Sequence, residues 1–566
     1  MIHKPFVVLA ALTFLAPLAA EPAFAQKPSV RVPPGPRLAA PGSYLTAADA
    51  RALADRAISA AQLKDYLSFI ASDELQGRDT PSNGLNTAAK FLATNLARWG
   101  FKPAGDAGTF FQKIALNRSR IDPATTTASL GGKTLAYPAD FVLSAGRGRG
   151  AVDAAIAETS LVYVGQGWVL PQKGVNPYNG LNVKGKFLVV SQRLGQRFPG
   201  GPDYANAIIP QQYAAQQGAA GIVYLSDAAS FAPLRNDAAT PRGGFTPASA
   251  SSSPARQAAL PTVILSPEAS QQLFAGEKID STRAMTQTAV GADQPSFELA
   301  SAKKMSLTLR YQTETMPTQN VVAIWEGSDP RLKSEYVAFG AHYDHVGMSA
   351  TPDASGDSIF NGADDDGSGT SALLAMADAL HQASTRPRRS LLFVWHCGEE
   401  KGLWGSSYFT ENPTVPLNKV AAQLNIDMIG RSKQAGDQKP ANASLSGPKE
   451  IFVIGSRMMS TQLGNLSDQV NKSYLNLKLN YTYDDPNDPN QFFYRSDHIN
   501  YARKGIPIIF WFDGVHEDYH RRSDEVSKID FEKMTMVTRT VLVTAAEIAN
   551  LPEKLVVDKK LTLPAR

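Results

Sequence analysis

The sequence predicts an α/β fold, a mixed, mostly parallel central sheet sandwiched by helices, with a smaller β-rich segment inserted into it. Three observations carry this reading. After about residue 300, continuous apolar runs ("EYVAFGAH", "SLLFVWH", "VAAQLNIDMIG", "GIPIIFWFD") alternate with amphipathic stretches ("GTSALLAMADALHQA" and Phe531 to Asn550), the pattern of strands buried on both faces by helices. Between residues 141 and 298 the apolar runs shorten ("SLVYVG", "GKFLVVSQ", "AAGIVYLSD", "LPTVILS") and turn residues split them, as in a separate small module. From Ala47 to Gly100 apolar residues recur at spacings of three and four, in runs that close near a Gly, as helices do.

Taken in chain order, residues 1–25 read as an export signal: a Lys near the start, an apolar run from Phe6 to Ala20, then Ala23-Phe24-Ala25 as an A-x-A cleavage site. That run, at about 15 residues, is short of the roughly 20 a spanning helix needs, and no later segment reaches that length, so no membrane span is expected after signal removal. Residues 26–44 are Pro-rich and aperiodic, a solvated tail. The α/β domain is then expected from 45–140 and 299–555, interrupted by the β-rich module at 141–298.

Bulk properties exclude some function classes. The 566 residues are 43% hydrophobic and 19% charged, an ordinary globular composition for two or more domains. A net charge of +4, without basic runs punctuated by aromatics, gives no footprint for a nucleic-acid partner. With a single cysteine, Cys397, the chain forms no internal disulfide, so core burial and metal are left to stabilise an exported protein.

Six of the eight histidines (His342, His345, His396, His498, His516 and His520) sit at or beside strand ends, together with the acids of "GAHYDHVG", "NGADDDGSG", "HCGEEKG", "NIDMIG" and "EDYHRRSDE". Ligands collect at the C-terminal ends of strands in such sheets. Carboxylates carried there are costly unless paired, hydrogen-bonded or bound to a cation. Imidazoles and carboxylates without thiolate favour zinc, and the number of such groups exceeds what one tetrahedral catalytic zinc uses, whereas two metals sharing a carboxylate would use them. The adjacent Glu399 and Glu400 point different ways in an extended or turning chain, so one can bind metal while the other accepts a proton.

In combination, "HxD", "GADDxxSG", "EExGLxGS", "xxDMxG" and "YHxxxDE", in this order and spacing, resemble the M28 family of co-catalytic zinc aminopeptidases. The likeness covers about residues 45–140 and 300–550, including "LQGRDTPSNGLNTAAKFLATNLARWGF". The resemblance implies two Zn2+ per chain, one held by His342 and Asp427, the other by Glu400 and His520, with Asp365 bridging them. It implies that Asp344 orients His342 through a hydrogen bond, that Glu399 is the general base for the metal-bound water, and that Tyr519 stabilises the oxyanion. "YRSDH" is similar to a family stretch that would put Arg495 and Asp497 near the substrate's main chain. The middle segment resembles the protease-associated domain, which narrows access to the cleft.

Beside these stand plainer readings. "ADDDGSG" also suits a helix N-terminus. His345, His498 and His516 fall outside the implied ligand set and read as packing or hydrogen-bonding histidines, and Cys397 as a buried thiol. "HCGEE" departs from the small residues that relatives carry before the acids. The expectation is an exported, periplasmic or secreted aminopeptidase acting on peptides. A carboxypeptidase or glutaminyl cyclase on the same fold, or an inactive receptor-like homologue, are the alternatives; residue preference and oligomeric state are left open.

Overall fold

The computed structural model describes residues 44–143, 152–191, 206–239, 244–249, 260–285 and 295–561. The expected export signal, and the Pro-rich tail as far as residue 43, lie outside them. Among the described residues no helix is long and apolar enough to cross a membrane.

The sequence's helix signals act as physical starts. Thr46 caps Ala47–Ala57 through a capping box with Asp49, and Ser59 and Ser82 cap Ala60–Ile70 and Asn83–Arg98 by accepting from the backbone N–H three residues on. These helices, with Gly367–His381 and Phe531–Asn550, bury one face of a ten-stranded mixed sheet.

In spatial order that sheet runs Lys478–Asn480, Glu450–Ile454, Ile508–Phe512, Val420–Ile426, Tyr336–His342, Ser390–His396, Tyr311–Trp325, Phe111–Ile121 and Gly244–Pro247, and Lys102–Pro103 adds a short pairing on Tyr311–Trp325. Its four central strands are parallel. Alternate residues feed two cores: Val337, Phe339, Leu391, Phe393 and Trp395 face the helices just named, while Ala338, Leu392 and Val394 face Phe409, Ile499 and Tyr501 on the other side. Each large apolar side chain buried this way contributes roughly 1.5–3 kcal/mol. Strands buried on both faces have no polar side to show, which is why they read as unbroken apolar runs.

Register positions the site. His342 lies opposite His396, Gly340 opposite Asn425, and Ile426 opposite Trp511, so the central strands finish nearly level and release their following loops at one edge.

A second, nine-stranded sheet runs Lys133–Leu135, Thr127–Leu130, Lys304–Leu309, Ala154–Tyr163, Phe187–Val190, Gly221–Tyr224, Thr262–Leu265 and Phe141–Leu143, with Phe297–Glu298 paired on Ala154–Tyr163. The expected boundaries at 141 and 298 need correcting against it. Thr127–Leu130, Lys133–Leu135 and Lys304–Leu309 belong to the second sheet, and Gly244–Pro247, from inside the segment, pairs with Phe111–Ile121 of the first. Long-range pairing decides membership here, and no local periodicity encodes it.

Candidate metal centre

His342 ends its strand, and its ring is oriented from behind. Its Nδ1 lies 3.1 Å from the Asp344 carbonyl oxygen and 3.8 Å from the Asp344 carboxylate, so a proton on Nδ1 is directed to the carbonyl and Nε2 is left to accept. The expected orienting contact thus falls to the main chain of Asp344. Its buried carboxylate accepts the Glu399 N–H at 3.1 Å instead and ties the two motif loops together.

Asp365 stands at the middle. Its Oδ1 is 3.2 Å from His342 Nε2, while Oδ2 is 3.1 Å from His520 Nε2 and 3.7 Å from His345 Nδ1, so its two oxygens serve two different clusters. Asp427, directly after its strand, lies 3.6 Å from His342 Nε2. Glu400 sits between two imidazoles, 3.0 Å from His520 Nε2 and 2.8 Å from His345 Nδ1. Donor atoms of His342, Asp365 and Asp427 lie within 4.8 Å of one another, and so do those of His345, Asp365 and Glu400.

A divalent cation at each cluster fits this arrangement. His342 Nε2, Asp365 Oδ2, Glu400 Oε1 and both His345 nitrogens are buried without a hydrogen-bond partner, and stranding such atoms is costly unless a cation collects them. Burial acts to lower the His520 imidazole, but the Asp365 and Glu400 carboxylates outweigh it and hold it up at about 10. Burial pushes Glu399 well above the usual carboxylate range, against the pull of His342 and with the help of Glu400 and Asp427. Its Oε2 lies 4.0 Å from His342 Nε2, and its side chain keeps 12% of its exposure, so it faces the opening.

The neighbouring acids of "NGADDDGSG" carry the frame. Asp366 caps Gly367–His381 by accepting from Gly369 N–H, and also accepts from the N–H groups of His342 and Met428, fastening three ligand-bearing segments. Asp524 accepts from the N–H groups of Asp364 and Asp365, and Asp364 faces His516 at 3.2 Å. Arg78, fully buried, donates to the carbonyls of Ile70, Tyr343, Asn361 and Gly362, binding the N-terminal "LQGR" segment beneath both loops.

At the mouth, the half-buried Tyr519 ring stacks on His520 with centroids 4.0 Å apart, and the exposed Arg495 places Nη2 3.5 Å from the Tyr519 hydroxyl. Asp497, expected near a substrate's main chain, is instead fully buried. It faces His396 Nδ1 at 3.3 Å, and His396 Nε2 lies 3.0 Å from the Tyr501 hydroxyl. The "HC" ahead of the two acids therefore belongs to the packing under the site: Cys397 is buried too, and burial pushes its thiol up. His345, read as a packing residue, faces the acids, and its signal was its place three residues after His342. Asp524 lies in the motif "YHxxxDE" and Arg78 in "LQGR", but nothing local gave either a supporting role.

Residues 320–545 match Peptidase family M28. Leupeptin-inactivating enzyme 1 of Streptomyces exfoliatus is 37% identical over 112 residues, 20% of this chain and 22% of that one. A probable leucine aminopeptidase 2 of Aspergillus oryzae is 28% identical over 285 residues (45% and 50%), and aminopeptidase Y of Saccharomyces cerevisiae 27% over 249 (42% and 40%). The chain spans half or less of the length of these three curated relatives. Among solved structures, a zinc aminopeptidase from Bacillus subtilis aligns at 18% identity and a TM-score of 0.49, covering 87% of this chain and 95% of that one. Residues 320–545, whose motifs converge at the C-terminal edge of the central sheet, are similar to peptidase family M28.

Proposed function

We propose that the chain is an exported dizinc aminopeptidase that removes N-terminal residues from peptides. The observation that supports it most is Asp365, whose two oxygens serve separate imidazole and carboxylate clusters while Glu399 stands uncommitted beside them. In this reading His342 and Asp427 hold one zinc, Glu400 and His520 the other, and Asp365 is shared. Zinc bound there lowers the pKa of water and polarises a carbonyl. Glu399 takes the proton of the attacking water and returns it to the leaving amine, a role its raised proton affinity suits. Burial, then Asp365 and Glu400, push the Tyr519 hydroxyl up, so it stays a donor for the oxyanion. The surplus of carboxylate around the cleft favours a free ammonium group on the substrate. The second sheet is read as a protease-associated module that limits access, and export rests on the segment before residue 26.

Arg495 favours a second reading, a carboxypeptidase, because an exposed guanidinium beside Tyr519 suits a terminal carboxylate. A panel of peptides, each with its N-terminus free or acetylated and its C-terminus free or amidated, decides between them when zinc per chain is measured alongside. The expected result is two zincs and release of the first residue from every free-amine peptide, amidated or not. Cleavage that requires a free C-terminus and ignores N-acetylation would overturn the aminopeptidase reading.

A further inference from the structure

We propose that His345 is an additional ligand to the metal held by Glu400, His520 and Asp365, which makes the two metal positions unequal; the proposal rests on the dizinc reading above. The His345 side chain is completely buried. Its Nδ1 lies 2.8 Å from Glu400 Oε1 and 3.7 Å from Asp365 Oδ2, while His520 Nε2 approaches Glu400 Oε2 and Asp365 Oδ2 at 3.0 and 3.1 Å. His345, Asp365 and Glu400 place donor atoms within 4.8 Å of one another, and His520 Nε2 approaches the same two carboxylates, so two imidazoles and two carboxylates meet here, the number of groups a tetrahedral zinc takes. The other position has three, from His342, Asp365 and Asp427.

Two further observations separate a ligand from a packing residue. Neither His345 nitrogen makes a hydrogen bond, despite the short approach to Glu400, and a buried polar group left so costs about 1–3 kcal/mol. The ring is also held in place. The His345 N–H donates to the Arg78 carbonyl at 3.2 Å, and the ring lies so close to the Gly362 backbone that a Cβ on Gly362 would fall 2.5 Å from His345 Cγ. The imidazole thus has little freedom to turn away from the acids, which is the arrangement of a preorganised ligand.

The consequence is ordered filling. The position with His345 binds its metal more tightly and fills first, and the position with His342 and Asp427 keeps more room for water and substrate.

The test uses the full chain, His345→Ser and His345→Asn, with Zn2+ or Co2+ as the only added metal. Zinc competition against a chromophoric chelator gives the dissociation constants. Proton NMR of the Co2+-loaded protein shows the ring N–H of each coordinated imidazole as a shifted, exchangeable signal. Urea unfolding of the metal-free proteins shows that the variants fold. The expected result is that wild type binds two metals with unequal constants and that both variants lose one shifted N–H signal and weaken one constant by more than about 100-fold. That is beyond the 10- to 100-fold that losing an orienting group produces. Unchanged N–H signals, with or without a smaller loss of affinity, would overturn the proposal and leave the dizinc reading standing. Wild type that binds no metal would overturn both.

Discussion

Gly77 has φ +66°, and a Cβ built on it would lie 2.3 Å from the Gly347 carbonyl oxygen and 2.5 Å from that of Phe360. Both are backbone atoms in the stretch that joins His345 to Asp365, and Gly347 N–H donates to the Gly77 carbonyl at 3.0 Å. Gly77→Ala therefore meets two costs. The left-handed conformation costs a residue with Cβ about 1–2 kcal/mol. The overlap forces the loop to shift, for about 1–3 kcal/mol more. Gly100→Ala isolates the first, because Gly100 has φ +77° and a Cβ there meets nothing within 4 Å. Urea unfolding followed by tryptophan fluorescence, in chelator so that metal binding adds nothing, should show losses of about 2–5 kcal/mol for Gly77→Ala and about 1–2 kcal/mol for Gly100→Ala. Gly77→Ala should also weaken zinc binding, and Gly100→Ala should leave it unchanged. Equal losses of stability in the two variants would refute the claim that close backbone approach under the metal loops sets the need for glycine.

Two further outcomes follow from buried groups outside the ligand set. The buried His498 ring stacks on Phe510 with centroids 4.5 Å apart and lies 2.8 Å from the Phe493 carbonyl oxygen through Nε2, and burial lowers it from 6.5 to about 4. The unfolded chain takes up that proton first on acidification, so this stability is complete above pH 6.5 and is lost as pH falls toward 4, to about 3 kcal/mol in all. His498→Gln should flatten the stability profile between those values, and an unchanged slope in urea titrations would contradict the assignment. Cys397 is fully buried with its thiol pushed up, so a thiol reagent should label it only in denaturant; rapid labelling of the native protein would count against its burial.

Much of the α/β domain was legible in the sequence because its signals are local. Helix Phe531–Asn550 coincides with the span read from its amphipathic pattern. The acids of the site were visible because they interrupt apolar strands, where an uncompensated charge is expensive. Direction was harder to read. His345 and His342 share one motif, yet only the turn after the strand decides that both rings point at acids. The resemblance of "YRSDH" put Asp497 near the substrate, but the turn Phe492–Tyr494 and the helix His498–Arg503 carry it beneath the sheet edge to His396. The role of Arg78 was unreadable for a related reason: it serves four carbonyls in three segments, two of them 265 to 284 residues away, and carbonyls leave no mark in a sequence.

The central claim is that Glu399 moves the proton while its neighbours hold metal, and Glu399→Gln tests it most directly. The measurement is kcat on a free-amine peptide together with zinc per chain in the same preparation. The account predicts a loss of about 10²- to 10⁴-fold in kcat, the contribution of a positioned base, with two zincs retained as in wild type. A variant with full zinc and activity within a few-fold of wild type would contradict it.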